Sequence, residues 1–356
     1  MTSPASSTYS AFPASRPRIG RRRVLAGLAA APAALALPSA AARASAAPDW
    51  SEAARRAASL DQLHALAIHL DGAPAFAQGF RGRRPDRLAN VKSVSKTLVA
   101  LLTGLAIDAG ALPGPEARLG DVAPELIPLG ADRRVADIAV AHLLTMTAGL
   151  ERTSGAGYGP WVQSRDWVAY ALSRPMVAAP GAAFQYSTGT FHVLGAVLSR
   201  VAGRSLHQLA RDGLARPLGI EIPPWTRDPQ GRFMGGNEMA LSPVALARLG
   251  AMIAAGGVWE GTQIVPRAWI EASWTPRARS PWSGDLYGYG WFLRELGGRP
   301  VAYGRGYGGQ MLYVFAEERL SVAISSDPMR PARSGGYVSD LHALVEETIL
   351  RQLPGR

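Results

Sequence analysis

Asn90-Val91-Lys92-Ser93-Val94-Ser95-Lys96 runs into Thr97-Leu98-Val99-Ala100-Leu101-Leu102-Thr103-Gly104-Leu105-Ala106-Ile107-Asp108-Ala109-Gly110 without a proline. Val94, Leu98, Leu101, Leu105 and Ile107 recur at helical spacing and Gly110 is a suitable terminator, so a helix is predicted over Ser93–Ala109. Ser93 then sits at the helix N-terminus with Lys96 one turn further on, on the same face. The N-terminal N–H groups and the helix dipole favour negative charge developing beside Ser93. An amine held in apolar surroundings loses its proton more readily and can accept one from a serine hydroxyl. Alone, Ser-x-x-Lys is more often a capped, solvated turn, so the pair needs support from elsewhere in the chain.

Composition supplies some of it. Only two lysines occur, Lys92 and Lys96, among 38 basic residues, so arginine serves wherever a generic cation suffices. Arginine does not deprotonate near neutrality, whereas a desolvated lysine does. Cysteine is absent, which excludes disulfides, thiol catalysis and thiolate-bound metal. The 356 residues are 47% apolar and 18% charged, a globular composition long enough for one large core or two modest ones. Of the net charge of +11, six units are arginines within residues 1–46, leaving a scattered +5 that argues against nucleic acid as partner.

The first 46 residues read as an address. Arg21-Arg22-Arg23 precedes a mostly Ala and Leu stretch from Ala26 to Leu37, then Pro38 and the small triplet Ala44-Ser45-Ala46. This is the outline of a twin-arginine export signal, with Arg21 and Arg22 as its pair and cleavage expected after Ala46. The apolar run is too short for a permanent span, and no later segment could cross a bilayer. The expected partner is therefore the twin-arginine export machinery, and the expected location is the periplasm or outside the cell.

Outward from the Ser93 helix, a short helix is predicted over Trp50–Leu60 and a β-hairpin over Ala65–Phe80 about Asp71-Gly72. The middle of the chain carries helical patterns at Ala136–Met146, Ser164–Leu172 and Thr190–Val201. Strand patterns return at Pro300–Tyr303, Gln310–Phe315 and Leu320–Ser325, and a last helix is predicted at about Tyr337–Leu353. That order implies a sheet assembled from both chain ends, with an all-α lobe of about residues 97–245 inserted in a single 47–356 domain.

Two further segments complete the chemistry. Phe184-Gln185-Tyr186-Ser187-Thr188-Gly189 precedes the Thr190 helix, and Gly306-Tyr307-Gly308-Gly309-Gln310 leads into a strand. With Ser-x-x-Lys, in that order and spacing, the chain resembles class C β-lactamases, D-alanyl-D-alanine carboxypeptidases and related esterases and 6-aminohexanoate-dimer hydrolases. The resemblance covers nearly all of residues 60–350. It extends to His142-Leu143-Leu144-Thr145-Met146-Thr147-Ala148-Gly149-Leu150, Pro217-Leu218-Gly219-Ile220 and Tyr287-Gly288-Tyr289-Gly290-Trp291. It implies the β-lactamase/transpeptidase-like α+β fold, with an antiparallel sheet flanked by helices. It also implies a serine hydrolase that needs no cofactor, in which Ser93 is acylated while Lys96 and Tyr186 jointly handle its proton.

A strand passing close to a substrate carbonyl needs backbone free of side chains, and the oxyanion hole is assigned to the N–H groups of Ser93 and Tyr307. Thr188, Gly306, Gly308, Gly309 and Gln310 are expected to touch substrate, and Tyr158 and Trp161 to line an acyl pocket. Taken singly, those glycines would mark a bulge and those aromatics a loop surface. Two departures from the family pattern bear on substrate. Thr188 stands where such β-lactamases usually have Asn, and the usual Lys-Thr-Gly or His-Thr-Gly of the strand is missing. Both weaken a β-lactam or a carboxylate-terminated peptide and favour an ester or amide, although Arg305 offers a replacement cation. The Gly-x-Gly-Gly-Gln form is most like the 6-aminohexanoate-dimer-hydrolase branch.

His142 and His192 fall in apolar helical patterns and read as core histidines. His64 and His69 flank a strand without metal-ligand spacing, so no metal is inferred. The leading expectation is an exported esterase or amidase working on a small molecule. A β-lactamase and a D-alanyl-D-alanine carboxypeptidase are the enzyme alternatives, and a penicillin-sensor-like module that keeps its acyl group is the alternative of another class.

Overall fold

The computed structural model describes residues 47–354, so the export signal, with Arg21, Arg22, Ala44 and Ala46, lies outside the described residues. A helix α1, Ser51–Ser59, is followed by β1, Leu63–Leu70, and β2, Ala73–Gly79, the predicted hairpin about Asp71-Gly72. Next come β3, Ala89–Asn90, and helix α2, Ser95–Asp108. The remaining strands are β4, Ala240–Leu241; β5, Val258–Trp259; β6, Thr262–Gln263; β7, Ala278–Arg279; and β8, Leu286–Tyr287. They continue with β9, Phe292–Leu296; β10, Arg299–Gly306; β11, Gln310–Phe315; and β12, Leu320–Ser326.

Eight strands form one sheet in the order β2-β1-β12-β11-β10-β9-β8-β7, with antiparallel pairing throughout. Strand β1 joins β12 with Leu66 opposite Ile324, so strands from the two ends of the chain pair inside the sheet, one strand in from its β2 edge. Both faces are covered, which is why β11 and β12 are buried along their whole length instead of alternating between buried and exposed. On one face, the helix Pro243–Ala254 brings Gly250 against Leu312 and Ser321. On the other, His342 of the helix Tyr337–Leu344 meets the Tyr313 hydroxyl at 3.0 Å and the Tyr303 ring. Between β2 and β7, the chain contributes nothing to this sheet and is mostly helical. Its apolar side chains belong to the same core as the sheet.

Helix α2 is buried on every side, and Leu98, Val99, Ala100, Leu101 and Leu102 are all at most 2% exposed. It lies between β10 and the helix Thr188–Ala202, so a side chain in its first turn is carried to the seam between sheet and helices.

Several predicted boundaries moved. The helix expected at Ala136–Met146 is a 3₁₀ turn, Arg133–Asp137, and a short helix, Val140–Leu144. Ile138 is pulled extended between them because its carbonyl accepts the Leu119 N–H at 2.9 Å. The helix expected from Ser164 starts at Trp167, where the Asp166 carboxylate caps the N–H groups of Val168 and Ala169. The strand expected at Pro300–Tyr303 continues to Gly306. The glycine-rich segment is thus the hairpin turn between β10 and β11, with Gly308 and Gly309 at φ of 84° and 89°.

Candidate active site

The turn that carries Ser93 is fastened before α2 begins. Residues Lys92–Val94 form a 3₁₀ turn, and Lys92 holds a left-handed φ of 49°. The Asn90 carboxamide oxygen accepts the Lys92 N–H at 2.8 Å. The Ser95 hydroxyl donates to the Lys92 carbonyl at 2.6 Å and accepts the Met239 N–H at 3.2 Å. A Cβ on Gly306 would lie 2.4 Å from the Val91 carbonyl oxygen, so the end of β10 can rest against this turn only as glycine.

Lys96 projects from the first turn of α2 and is 1% exposed. Its Nζ lies 2.8 Å from Ser93 Oγ, 3.2 Å from Thr188 Oγ1 and 2.6 Å from the Gly236 carbonyl oxygen. Burial pulls its pKa from 10.5 down to about 7. A neutral amine can satisfy all three contacts by donating to the carbonyl and to Thr188 while accepting from Ser93.

Tyr186 completes the group from the opposite side. Its side chain interacts with that of Ser93, and its ring lies 5.1 Å from Lys96 Nζ and stacks on Phe292 at 6.2 Å. Burial raises its pKa, against the lowering effect of the Ser93 side chain and the Arg305 charge. With its pKa at about 7, part of Lys96 is neutral at neutral pH, whereas Tyr186 keeps its proton there.

Ser93 and Tyr186 open onto a cavity of about 720 Å³. Of the residues singled out from sequence, Tyr158, Thr188, Gly306 and Tyr307 line it, and so does Arg305. Trp161 does not: it is fully buried, donates from Nε1 to the Trp167 carbonyl at 2.9 Å, and supports Tyr158 edge-on at 5.5 Å. Gly308, Gly309 and Gln310 also stand away from the cavity. A Cβ on Gly308 would strike the Asp327 carbonyl and one on Gly309 the Tyr337 ring, while the Gln310 carboxamide bridges the Ser326 backbone. Their work is the hairpin turn and its packing.

His192 is a buried core histidine, with Nε2 at 3.1 Å from Asp228 Oδ2 and Nδ1 accepting the Gly235 N–H at 3.3 Å. That bond fixes the segment whose next carbonyl, Gly236, receives Lys96. His142 accepts the Ala139 N–H, and His64 and His69 lie within β1. Among the described residues, no three His, Asp or Glu side chains cluster as a metal site.

Sequence reasoning missed Arg152, Ser154, Asn237, Glu238, Ser280 and Trp282, which also line the cavity. The Gly235-Gly236 doublet was the available signal for one group. Cβ atoms there would lie 2.2 Å from the Phe191 carbonyl oxygen and 2.9 Å from Phe191 Cβ, so the chain must be bare to pass the Thr188 helix. Trp282, which packs under the Arg152 guanidinium at 5.3 Å, had no such signal.

The family model described as Beta-lactamase matches residues 64–347. This chain belongs to the beta-lactamase family. As a member, it is a serine hydrolase of the β-lactamase/transpeptidase-like fold. The D-alanyl-D-alanine-carboxypeptidase/endopeptidase AmpH of Escherichia coli (strain K12) is 28% identical over 187 residues, 49% of this chain and 46% of that protein. The chain thus spans about half the length of the curated relatives it matches. Among solved structures, a candidate 6-aminohexanoate-dimer hydrolase from Bacillus anthracis superposes with TM-score 0.70 at 17% identity, covering 83% of this chain and 81% of that one. A penicillin-binding protein homologue from Caulobacter crescentus gives 0.70 at 20%, covering 85% and 97%. A family VIII carboxylesterase gives 0.68 at 21%, covering 86% and 98%. These likenesses establish the fold.

Proposed function

We propose that this member of the family hydrolyses an ester or amide through an acyl-enzyme on Ser93, with Lys96 as the base and Tyr186 as the proton donor to the leaving group. The observation that carries the reading is the buried Lys96 amine, 2.8 Å from Ser93 Oγ, with its pKa brought to about 7. As Ser93 Oγ bonds to the carbonyl carbon, its proton passes to Lys96 Nζ and the carbonyl electrons move onto oxygen. The backbone N–H groups of Ser93 and Tyr307 are assigned to hold that oxyanion. Collapse breaks the bond to the leaving group, which takes a proton from Tyr186; the proton held by Lys96 then passes to the Tyr186 oxygen, restoring a neutral amine and a phenol, and water repeats the sequence on the acyl-enzyme.

Two features support ester or amide over β-lactam. The Thr188 hydroxyl is occupied by Lys96 and Ser154, and it offers no carboxamide to a β-lactam side chain. The strand that ends at Gly306 brings no lysine or histidine to the cavity. One observation favours a D-alanyl-D-alanine carboxypeptidase as second reading. Arg305 lines the cavity bonded to Ser334 Oγ and the Ala332 carbonyl, with no carboxylate among the described residues in ion-pair contact, which leaves its charge for a substrate terminus.

Hydrolysis of a p-nitrophenyl short-chain ester and of nitrocefin, measured beside Ser93→Ala, tests the assignment. Ester turnover lost in Ser93→Ala, with slow nitrocefin, is the expected result; fast nitrocefin turnover makes the protein a β-lactamase, and activity surviving in Ser93→Ala removes the nucleophile. A single stoichiometric burst without turnover would make it a sensor. Residues 1–46 are proposed as a twin-arginine signal that delivers the enzyme to the periplasm or beyond. Replacing Arg21 and Arg22 by lysine should then hold the protein in the cytoplasm.

A further inference from the structure

Thr188 replaces a carboxamide, which does not readily pass protons, with a hydroxyl, which does. Two loops are stitched together at this point. Ser187 Oγ accepts the Thr153 N–H at 3.1 Å, and Thr153 Oγ1 accepts the Gly189 N–H at 2.8 Å. Ser154 Oγ accepts the Thr188 N–H at 2.9 Å and lies 3.0 Å from Thr188 Oγ1, which in turn is 3.2 Å from Lys96 Nζ. Ser154 is half-buried and lines the cavity, whereas Lys96 is sealed from it.

One arrangement of these hydroxyls makes a donor chain. Lys96 donates to Thr188 Oγ1, and between the Thr188 and Ser154 hydroxyls either can donate; the chain forms when Thr188 gives its hydroxyl hydrogen to Ser154 Oγ. Ser154 Oγ thereby accepts two hydrogen bonds, from the backbone and the side chain of Thr188, which fills its two lone pairs and leaves its O–H for the cavity. The result is a continuous donor chain from a buried amine to solvent.

A need for such a chain arises once Ser93 is acylated. A leaving group that departs as an anion leaves the former Ser93 proton on Lys96. That proton must go before Lys96 can accept another from the hydrolytic water. Of the three atoms bonded to Lys96 Nζ, the Gly236 carbonyl and the esterified Ser93 Oγ carry no exchangeable hydrogen, and Thr188 Oγ1 does. We infer that Thr188 and Ser154 form a proton relay that returns Lys96 to its neutral state in the acyl-enzyme. The ammonium N–H passes to Thr188 Oγ1, the Thr188 hydroxyl proton passes to Ser154 Oγ, and the Ser154 hydroxyl proton passes to cavity water. Each hydroxyl is restored, and one proton reaches solvent.

This inference rests on the acyl-enzyme reading, and rapid mixing with p-nitrophenyl acetate, acid quenching and intact-mass measurement separate the two. Ser154→Ala and Thr188→Val should still release about one p-nitrophenolate per enzyme in a burst, then lose the acyl group roughly tenfold more slowly than wild type, with Thr188→Ser restoring the rate. More acyl-enzyme should therefore be trapped at steady state in both variants. Ser154 is partly exposed, so Ser154→Ala tests the relay even if Thr188→Val fails to fold. Acyl-enzyme decay in Ser154→Ala within twofold of wild type overturns the relay, as does equal slowing of both phases, which loosening of the loop would cause. A wild-type enzyme that turns over with no acetyl adduct on Ser93 overturns the acyl-enzyme reading itself.

Discussion

Lys92 and Glu238 form a salt bridge with 3.1 Å between Nζ and Oε1, and both hold left-handed backbone conformations, with φ of 49° and 69°. One sits on the turn that presents Ser93 and the other two residues after the carbonyl that receives Lys96. The Glu238 carboxylate also accepts from Asn90 Nδ2 at 2.6 Å, so a single side chain ties the Ser93 turn to the segment anchoring Lys96. Non-glycine residues at positive φ cost about 1–3 kcal/mol each and persist where surroundings hold them. Glu238→Ala should lower unfolding free energy by about 1–3 kcal/mol and lower kcat as the Ser93 turn relaxes. Denaturant titration beside steady-state kinetics checks both, and unchanged kcat would make the bridge structural only.

The value of about 7 for Lys96 sets a pH dependence. Because burial has lowered it from 10.5, the ammonium form dominates below pH 7 and cannot take the Ser93 proton. Activity should fall about tenfold per unit below pH 7 and level off above it. Between about 7 and 10.5 the unfolded chain holds a proton here that the folded chain lacks, so this group's contribution to stability rises with pH over that window. Lys96→Arg should lose roughly 10²–10⁴-fold in kcat at every pH, since a guanidinium stays charged. A wild-type profile flat from pH 5 to 9 would count against Lys96 as base.

Two glycines separate site from scaffold. Gly306→Ala places a methyl 2.4 Å from the Val91 carbonyl oxygen and should depress kcat by displacing the Ser93 turn. Gly250→Ala places one 2.0 Å from Ser321 Oγ under the sheet and should cost about 1–3 kcal/mol of stability while the folded fraction keeps its kcat. Thermal unfolding and active-site titration distinguish them, and equal loss of kcat in both would dissolve the distinction.

Arg305 tests the carboxylate reading. If its guanidinium receives a substrate terminus, Arg305→Met should reduce kcat/KM roughly 10–100-fold more for substrates with a free carboxylate near the scissile bond than for neutral esters of the same size. An equal effect on both classes would leave Arg305 a bracket for Ala332 and Ser334 and nothing more.

What sequence alone determined here is whatever local spacing determines. The interval between Ser93 and Lys96 is one helical turn, the Asp71-Gly72 hairpin pairs neighbours, and the strand patterns Gln310–Phe315 and Leu320–Ser325 close through a short turn, so each was legible in consecutive residues. The family pattern then placed Tyr186 opposite. The Gly308-Gly309-Gln310 run misled because a hairpin turn and a substrate-facing strand ask for the same bare backbone, and only the neighbours of each Cβ tell them apart. Trp161 misled because an aromatic pattern does not say which ring faces a cavity and which supports it from behind. Tertiary structure alone decided the surroundings that give Lys96 its chemistry. Gly236, 140 residues away, supplies the carbonyl; Ser154 reaches Thr188 across 34 residues; and Glu238 meets Lys92 across 146. Such pairs are fixed by how helices and sheet pack around one core, and packing leaves no periodic mark on the sequence between them.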